Sequence, residues 1–196
     1  ERPILKGAMI EEDIYIGERV YLKLLSEHEI DERYLSWFKS EELVQYYSST
    51  KREFTREYLV QDLRAGLKNE THYVYGIYTV SEGLLIGNVK IGPIMKSNRN
   101  TDFSIILGDR SYSGKGIAQE AFKLGNHLVF IVYDLRKITS GMFEANRSSF
   151  KALKKSGWVI EGRRKGHYFV DGKALDQILV SCFNPRYFPV EEIEKE

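Results

Sequence analysis

The segment Ser113-Gly114-Lys115-Gly116-Ile117-Ala118-Gln119-Glu120-Ala121 follows the strand-like run Ile105-Ile106-Leu107-Gly108 and opens a helical pattern. At a helix start the first backbone N–H groups have no carbonyl to meet, and the helix dipole adds partial positive charge, so the turn is an anion site. Gly114 and Gly116 remove side chains that would keep a pyrophosphate from the backbone, and Lys115 adds a charge. A nucleotide triphosphatase is a poor fit. Its loop places four residues between the first Gly and a Gly-Lys pair followed by Ser or Thr, whereas five residues separate Gly108 from Gly114 and Gly116 follows Lys115. A dinucleotide fold places its glycines early in a parallel βαβ unit, and here they follow what reads as an antiparallel meander. Taken alone, Gly-x-Gly is also compatible with a turn that merely lets a helix pack on a sheet.

Other reactive groups are sparse. The one cysteine, Cys182, lies in the apolar run Ile178-Leu179-Val180-Ser181-Cys182-Phe183 and reads as a small core residue rather than a nucleophile. His28, His72, His127 and His167 show no metal-ligand spacing, so no metal is expected.

These groups must be positioned by a chain of 196 residues, which is most simply one domain spanning residues 1–196, with its core at about 19–183. With 42% hydrophobic and 29% charged residues the chain is neither disordered nor low-complexity. No apolar run approaches the ~18 residues of a membrane span, no secretory leader is evident, and a lone cysteine suits a reducing compartment, so a soluble cytoplasmic protein is expected. Net charge is only +1, but Arg110 to Lys173 holds 13 Lys and Arg against 5 Asp and Glu, a net of +8, leaving −7 elsewhere. A basic half around a glycine turn suits an anionic small molecule; a nucleic-acid binder would more often be basic along a whole face.

Branched and aromatic residues predict a strand over 19–25, and Ser26 with Glu29 forms a capping box that predicts a helix carrying Ile30, Tyr34, Leu35, Trp37 and Phe38 on one face. A second helix is predicted over 55–67. Strands follow over 72–80, 84–91 and 101–107. Next come a long helix over 116–133, a strand over 137–143 and a helix over 147–156. Strands 158–170 and 173–183 are joined by Asp171-Gly172, a strong hairpin signal. Tyr46, Tyr47, Tyr73, Tyr75 and Tyr78 make the first half aromatic; such rings either floor an acceptor pocket or pack in the core.

Asn146-Arg147-Ser148-Ser149, then Lys155-Ser156-Gly157-Trp158 and Glu161-Gly162, place an Asn just before a short helix and a Gly at its end, leading into a strand. With the glycine turn about 30 residues earlier, this resembles the GNAT superfamily of acetyl-CoA-dependent N-acetyltransferases, particularly its RimJ/RimL-like branch, over about residues 19–183. The resemblance implies an α+β fold: a mixed, mostly antiparallel twisted sheet of about seven strands flanked by helices, splayed between the fourth strand, ending at Leu107, and the fifth, ending at Phe143. Acetyl-CoA would lie in the split as co-substrate. Its pantetheine arm would run along Ile106, Leu107 and Gly108, its pyrophosphate would sit on Ser113, Gly114, Lys115, Gly116, Ile117 and Ala118, and Asn146 would bond the arm. Lys151, Lys154 or Lys155 could meet the nucleotide phosphates.

The sequence departs from the family pattern at two points. The loop often begins with Arg or Gln, where this chain has Ser113, and a Tyr that protonates the leaving thiolate is commonly found where this chain has Leu153. Ser149 is the substitute candidate; otherwise it is an ordinary first-turn residue. An alkyl ammonium with a pKa near ~10 must lose a proton before attack, so a positioned base is useful. The position matching the family's Glu is Asp102, which either acts as that base through water or is a solvent-facing strand residue. An N–H near Leu107 would stabilise the oxyanion. His167 and Tyr168 are secondary acceptor-binding candidates, alongside Tyr75, with ordinary hairpin residues as the alternative.

The expected function is direct transfer of acetyl to a primary amine of a small molecule or a protein N-terminus. The basic half tilts the acceptor toward an amino-sugar nucleotide, with a ribosomal protein still open. Neither nucleic acid nor membrane is an expected partner, and a homodimer is open to the chain. Two other readings stand beside it: an acyl-CoA sensor without turnover, and a structural domain that binds nothing.

Overall fold

Strands rich in branched and aromatic residues build one sheet, covered by helices on both faces. A computed structural model describes residues 14–40, 43 and 53–189; Tyr46 and Tyr47 lie outside them. The chain begins with β1 (Tyr15–Ile16) and β2 (Val20–Leu24), then α1 (Glu32–Lys39) and α2 (Arg56–Asn69). The strands β3 (Tyr73–Thr79), β4 (Leu85–Met95) and β5 (Asn100–Leu107) form the meander. After it come α3 (Ile117–His127), β6 (Lys137–Phe143), α4 (Arg147–Lys154), β7 (Val159–Val170) and β8 (Lys173–Phe183). The sheet has eight strands in the order β1-β2-β3-β4-β5-β6-β8-β7. The expectation of about seven is one short because Tyr15–Ile16, only two residues long, pairs with β2.

Two helix ends differ from expectation for local reasons. The Glu29 carboxylate does accept from the Ser26 N–H at 2.8 Å, yet this closes only one 3-10 turn. Asp31 starts α1 instead, accepting from the Tyr34 N–H at 2.8 Å. The helix predicted to run to residue 133 stops at His127, and Leu128–Val132 wind on as a π turn that keeps Leu128 and Val129 fully buried.

The sheet separates two cores. Helices α1 and α2 cover one face through Tyr34, Trp37, Phe38, Val60 and Leu63, together with Ile106 of β5. The opposite core gathers Leu22, Ile77, Val89, Phe103, Phe122 and Trp158. Each fully buried side chain of this kind contributes about 1.5–3 kcal/mol, offset by the chain entropy lost on folding.

The sheet parts where β5 meets β6. These neighbours are parallel and pair only at Asn100–Lys137, Thr101–Ile138 and Asp102–Thr139. Beyond them β5 stays with β4 as far as Leu107–Gly87, and β6 stays with β8 as far as Phe143–Gln177. The N–H groups of Gly108 and Asp109 both bond the Ile86 carbonyl, at 2.9 and 3.0 Å, which draws the end of β5 toward β4. The gap therefore opens between the two strands named from the sequence.

Candidate active site at the parted strands

The glycine loop stands at the open end of the gap. Asp109 accepts from the Ser111 N–H at 3.0 Å and its hydroxyl at 2.7 Å, fixing a 3-10 turn over Arg110–Tyr112. Ser113, Gly114 and Lys115 follow, all exposed. Gly114 and Gly116 have φ of +75° and +78°, a left-handed backbone that glycine adopts without strain. A Cβ on Gly114 would meet no protein atom within 4 Å. Gly116 is the N-cap of α3 and offers no side chain to cap it, so the amides of Ile117 and Ala118 begin the helix uncapped. The Ile117 side chain is buried, which seats this end of the helix on the sheet.

A residue far away in sequence holds the loop. The Arg19 Nη1 donates to the Lys115 carbonyl at 2.7 Å, and Glu120 accepts from the Arg19 N–H at 2.8 Å, the Val20 N–H at 3.2 Å and Arg19 Nε at 3.1 Å. Sequence reasoning missed Arg19 because only tertiary structure brings it to a loop about a hundred residues later. It also missed Trp37, whose indole lies against Gly108 where β5 ends.

At the closed end of the gap Asp102 is exposed and accepts a hydrogen bond from the Thr139 hydroxyl across the last β5–β6 pair. Asp102, Ser104 and Ile106 share one face of β5, the face packed by α1 and α2. From Leu107 back to Asp102 is five residues, about 17 Å of strand. The gap thus has uncapped helix amides at its mouth and a carboxylate at its inner end.

Beyond β6, Asn146 caps α4, its Oδ1 accepting from the Ser149 N–H at 3.2 Å, so both stand just past the open end of the strand. Lys151 and Lys155 are exposed, and the Lys155 carbonyl accepts from Gln119 Nε2 at 3.4 Å, bringing the end of α4 beside the first turn of α3. Leu153 is 3% exposed within the main core, so a hydrophobic contact occupies the position where a thiolate-protonating Tyr is common.

Tyr168 packs on the end of β6, the strand that borders the gap on its other side. Its ring stacks on Phe143, the last residue of β6, at 3.9 Å between centroids, and its hydroxyl accepts from Gln177 Nε2 at 2.5 Å. The exposed His167 ring lies edge-on to it. Tyr75 is not brought here: it is 3% exposed in the core beneath α3, its hydroxyl bonded to that of Tyr133 at 2.5 Å. Strand alternation turned it to the opposite face from α1 and α2, so the expected pocket wall is a core residue. Tyr73 likewise stacks on Tyr133, at 4.8 Å, and Tyr78 donates to Glu29 at 2.6 Å. Cys182 is 5% exposed, and burial pushes its thiol up to about 12. No group of three His, Cys, Asp or Glu among the described residues is placed to hold a metal, and no described helix is long and apolar enough to cross a membrane.

Residues 19–159 match the acetyltransferase (GNAT) domain family. A probable N-acetyltransferase, YjcK, of Bacillus subtilis (strain 168) is 29% identical over 126 residues, 64% of this chain and 70% of that protein. A spermidine N-acetyltransferase from Vibrio cholerae, solved in complex with CoA and spermine, shares the fold with a TM-score of 0.77 at 18% identity, covering 86% of this chain and 97% of the other. The ribosomal-protein-S5-alanine acetyltransferase from Vibrio fischeri gives the same score at 22% identity, covering 91% and 100%.

Proposed function

The chain belongs to the GNAT acetyltransferase family, and from that premise we propose that Asp102 and the glycine loop are the two ends of its active site, where acetyl passes from acetyl-CoA directly to a primary amine. When bound, acetyl-CoA supplies the activated acetyl group as a thioester. The observation that carries this reading is the early parting of β5 from β6, which leaves the gap-side edge of β5 unpaired between a carboxylate and an anion-binding loop.

The amides of Gly114 to Ala118 hold the pyrophosphate, with Lys115, Lys151 and Lys155 supplying positive charge. The backbone of Ile106 to Gly108 and the Asn146 side chain hold the arm. Asp102, one water away, takes the proton of the acceptor ammonium, and the Thr139 hydroxyl fixes its carboxylate. A backbone N–H near Leu107 faces the carbonyl oxygen as charge develops there. With Leu153 buried, the proton for the departing thiolate comes from Ser149 or from solvent. Cys182 takes no part, because a thiol held up to about 12 is protonated at working pH.

Relatives named for spermidine and for a ribosomal-protein alanine bracket the acceptor between a polyamine and a peptide N-terminus. The net +8 of Arg110 to Lys173 argues against a polycation and for a neutral or anionic acceptor such as an amino-sugar nucleotide. A buried cysteine with no disulfide partner suits the cytoplasm.

The test is a panel of amines with thiol release and product mass both measured. A product heavier by one acetyl group, with release reduced in Asp102→Ala and Asn146→Ala, supports the enzyme. The buried Leu153 favours a second reading, an acyl-CoA sensor, and tight CoA binding with no amine-dependent release across the panel would establish it.

A further inference from the structure

Arg19 sits in the turn between β1 and β2, outside the basic stretch Arg110–Lys173 and among the residues that together sum to −7. Its side chain is 54% exposed, although the Glu120 carboxylate it pairs with is only 13% exposed. That carboxylate already accepts from two backbone amides, Arg19 N–H at 2.8 Å and Val20 N–H at 3.2 Å, so the tie between β2 and α3 does not depend on the guanidinium alone. The guanidinium is carried onward to the loop. Nη1 donates to the Lys115 carbonyl at 2.7 Å, and a Cβ on Gly116 would stand 3.1 Å from Nη1 and 3.4 Å from Nη2. The planar group therefore lies over the N-cap of α3. Its Nε and one Nη1 proton are used, and Nη2 has no acceptor among the described residues.

We propose that Arg19 is a diphosphate-binding residue: Glu120 and the Lys115 carbonyl hold one edge of its guanidinium, and its remaining N–H groups serve the anion cradled by Gly114 to Ala118. The proposal rests on the reading that this loop binds the CoA diphosphate, and it deepens that reading. Electrostatics favours it. Glu120 lies in the first turn of α3, and its negative charge would oppose a bound anion; Arg19 cancels that charge, leaving Lys115 in excess. The loop's first residue, Ser113, carries only a short hydroxyl, so a charged fork reaching in from the β1–β2 turn adds, beside the point charge of Lys115, the planar contact that Ser113 does not make.

The test compares CoA with dephospho-CoA, which keeps the diphosphate and lacks the 3′-phosphate, by titration calorimetry on wild type, Arg19→Gln and Arg19→Lys, after circular dichroism confirms that each is folded. Arg19→Gln should weaken both ligands by the same factor of ten or more and flatten the salt dependence of binding, with Arg19→Lys falling between Gln and wild type. Binding of Arg19→Gln within twofold of wild type overturns the proposal. So do equal losses in the Gln and Lys variants with an unchanged salt dependence, since only loop geometry would then be at stake. If wild type binds neither ligand, it is the coenzyme reading of the loop that fails. A buried helper of the fold would not separate Gln from Lys in this way.

Discussion

The indole of Trp37 lies flat against the backbone of Gly108: a Cβ built on Gly108 would fall 2.0 Å from Trp37 Cδ2. Trp37 is 5% exposed and belongs to the core between α1 and the sheet, so it has nowhere to retreat. Gly108→Ala should cost about 1–3 kcal/mol by overpacking, measured as a lowered denaturation midpoint. Because Gly108 ends β5 at the gap, weaker CoA binding should accompany the loss. An unchanged midpoint would mean the indole slides aside freely.

Gly114 offers a cleaner probe, because the protein leaves open space around it. A side chain there carries about 1–2 kcal/mol of left-handed backbone strain and no clash with the fold. Gly114→Val should therefore lower the melting temperature modestly while reducing CoA affinity at least tenfold, read by calorimetry. A variant that is strained but binds normally would place the phosphates elsewhere.

Removing the base should show itself in the pH profile. Asp102→Asn is expected to lower the rate at neutral pH by ~10² to 10⁴-fold. The deficit should shrink as pH approaches the acceptor amine's own pKa of about 10, where the amine arrives already deprotonated. Thr139→Val, which removes the hydroxyl bonded to Asp102, should reduce kcat by less and leave KM for acetyl-CoA unchanged.

His127, at the end of α3 beside the Tyr15 ring at 6.4 Å, has its pKa lowered by burial. The unfolded imidazole, with a pKa near 6.5, takes up a proton that the folded one resists, so the unfolded state binds more protons as pH falls. Stability is whole above about pH 6.5 and declines below it toward the lowered folded value. Thermal melts of wild type and His127→Gln across this range should converge at the acid end, the variant losing the slope that His127 contributes.

Alkylating reagents at neutral pH should leave activity intact, because burial pushes the Cys182 thiol up to about 12. Incubation with acetyl-CoA alone should add no acetyl mass to the protein, and Cys182→Ala should retain turnover. Inactivation that acetyl-CoA prevents would contradict direct transfer.

Much of this architecture was legible in the sequence. Lys137–Phe143 and Lys173–Phe183 are found where period-two alternation and the Asp171-Gly172 turn place them, because those patterns are local. The glycine turn was legible for the same reason, as its left-handed positions fall on its own glycines, although the tie from Arg19 that holds it was not. The start of α1 was not, because Ser26 and Glu29 satisfy one turn while Asp31 does the capping. Periodicity over Leu128–Val132 reports an apolar face but does not separate an α turn from a π turn. Alternation places Tyr75 opposite its neighbours without saying which face is which, and in a sheet buried on both sides that choice turned it inward. Arg19 and Thr139 reach the site only through contacts 96 and 37 residues long, which no local pattern encodes.

Three register pairs and the bond from the Arg136 N–H to the Arg99 carbonyl at 2.7 Å are the backbone joints described between the meander half of the sheet and the β6–β8–β7 half. A molecule threaded along the bare edge of β5 completes a seam that the chain itself leaves unstitched. Occupancy and cohesion then become a single property: each half gains a shared neighbour at the moment of binding. Saturating ligand should accordingly raise the melting temperature, by about 2.7 kcal/mol of stability at one hundred times the dissociation constant.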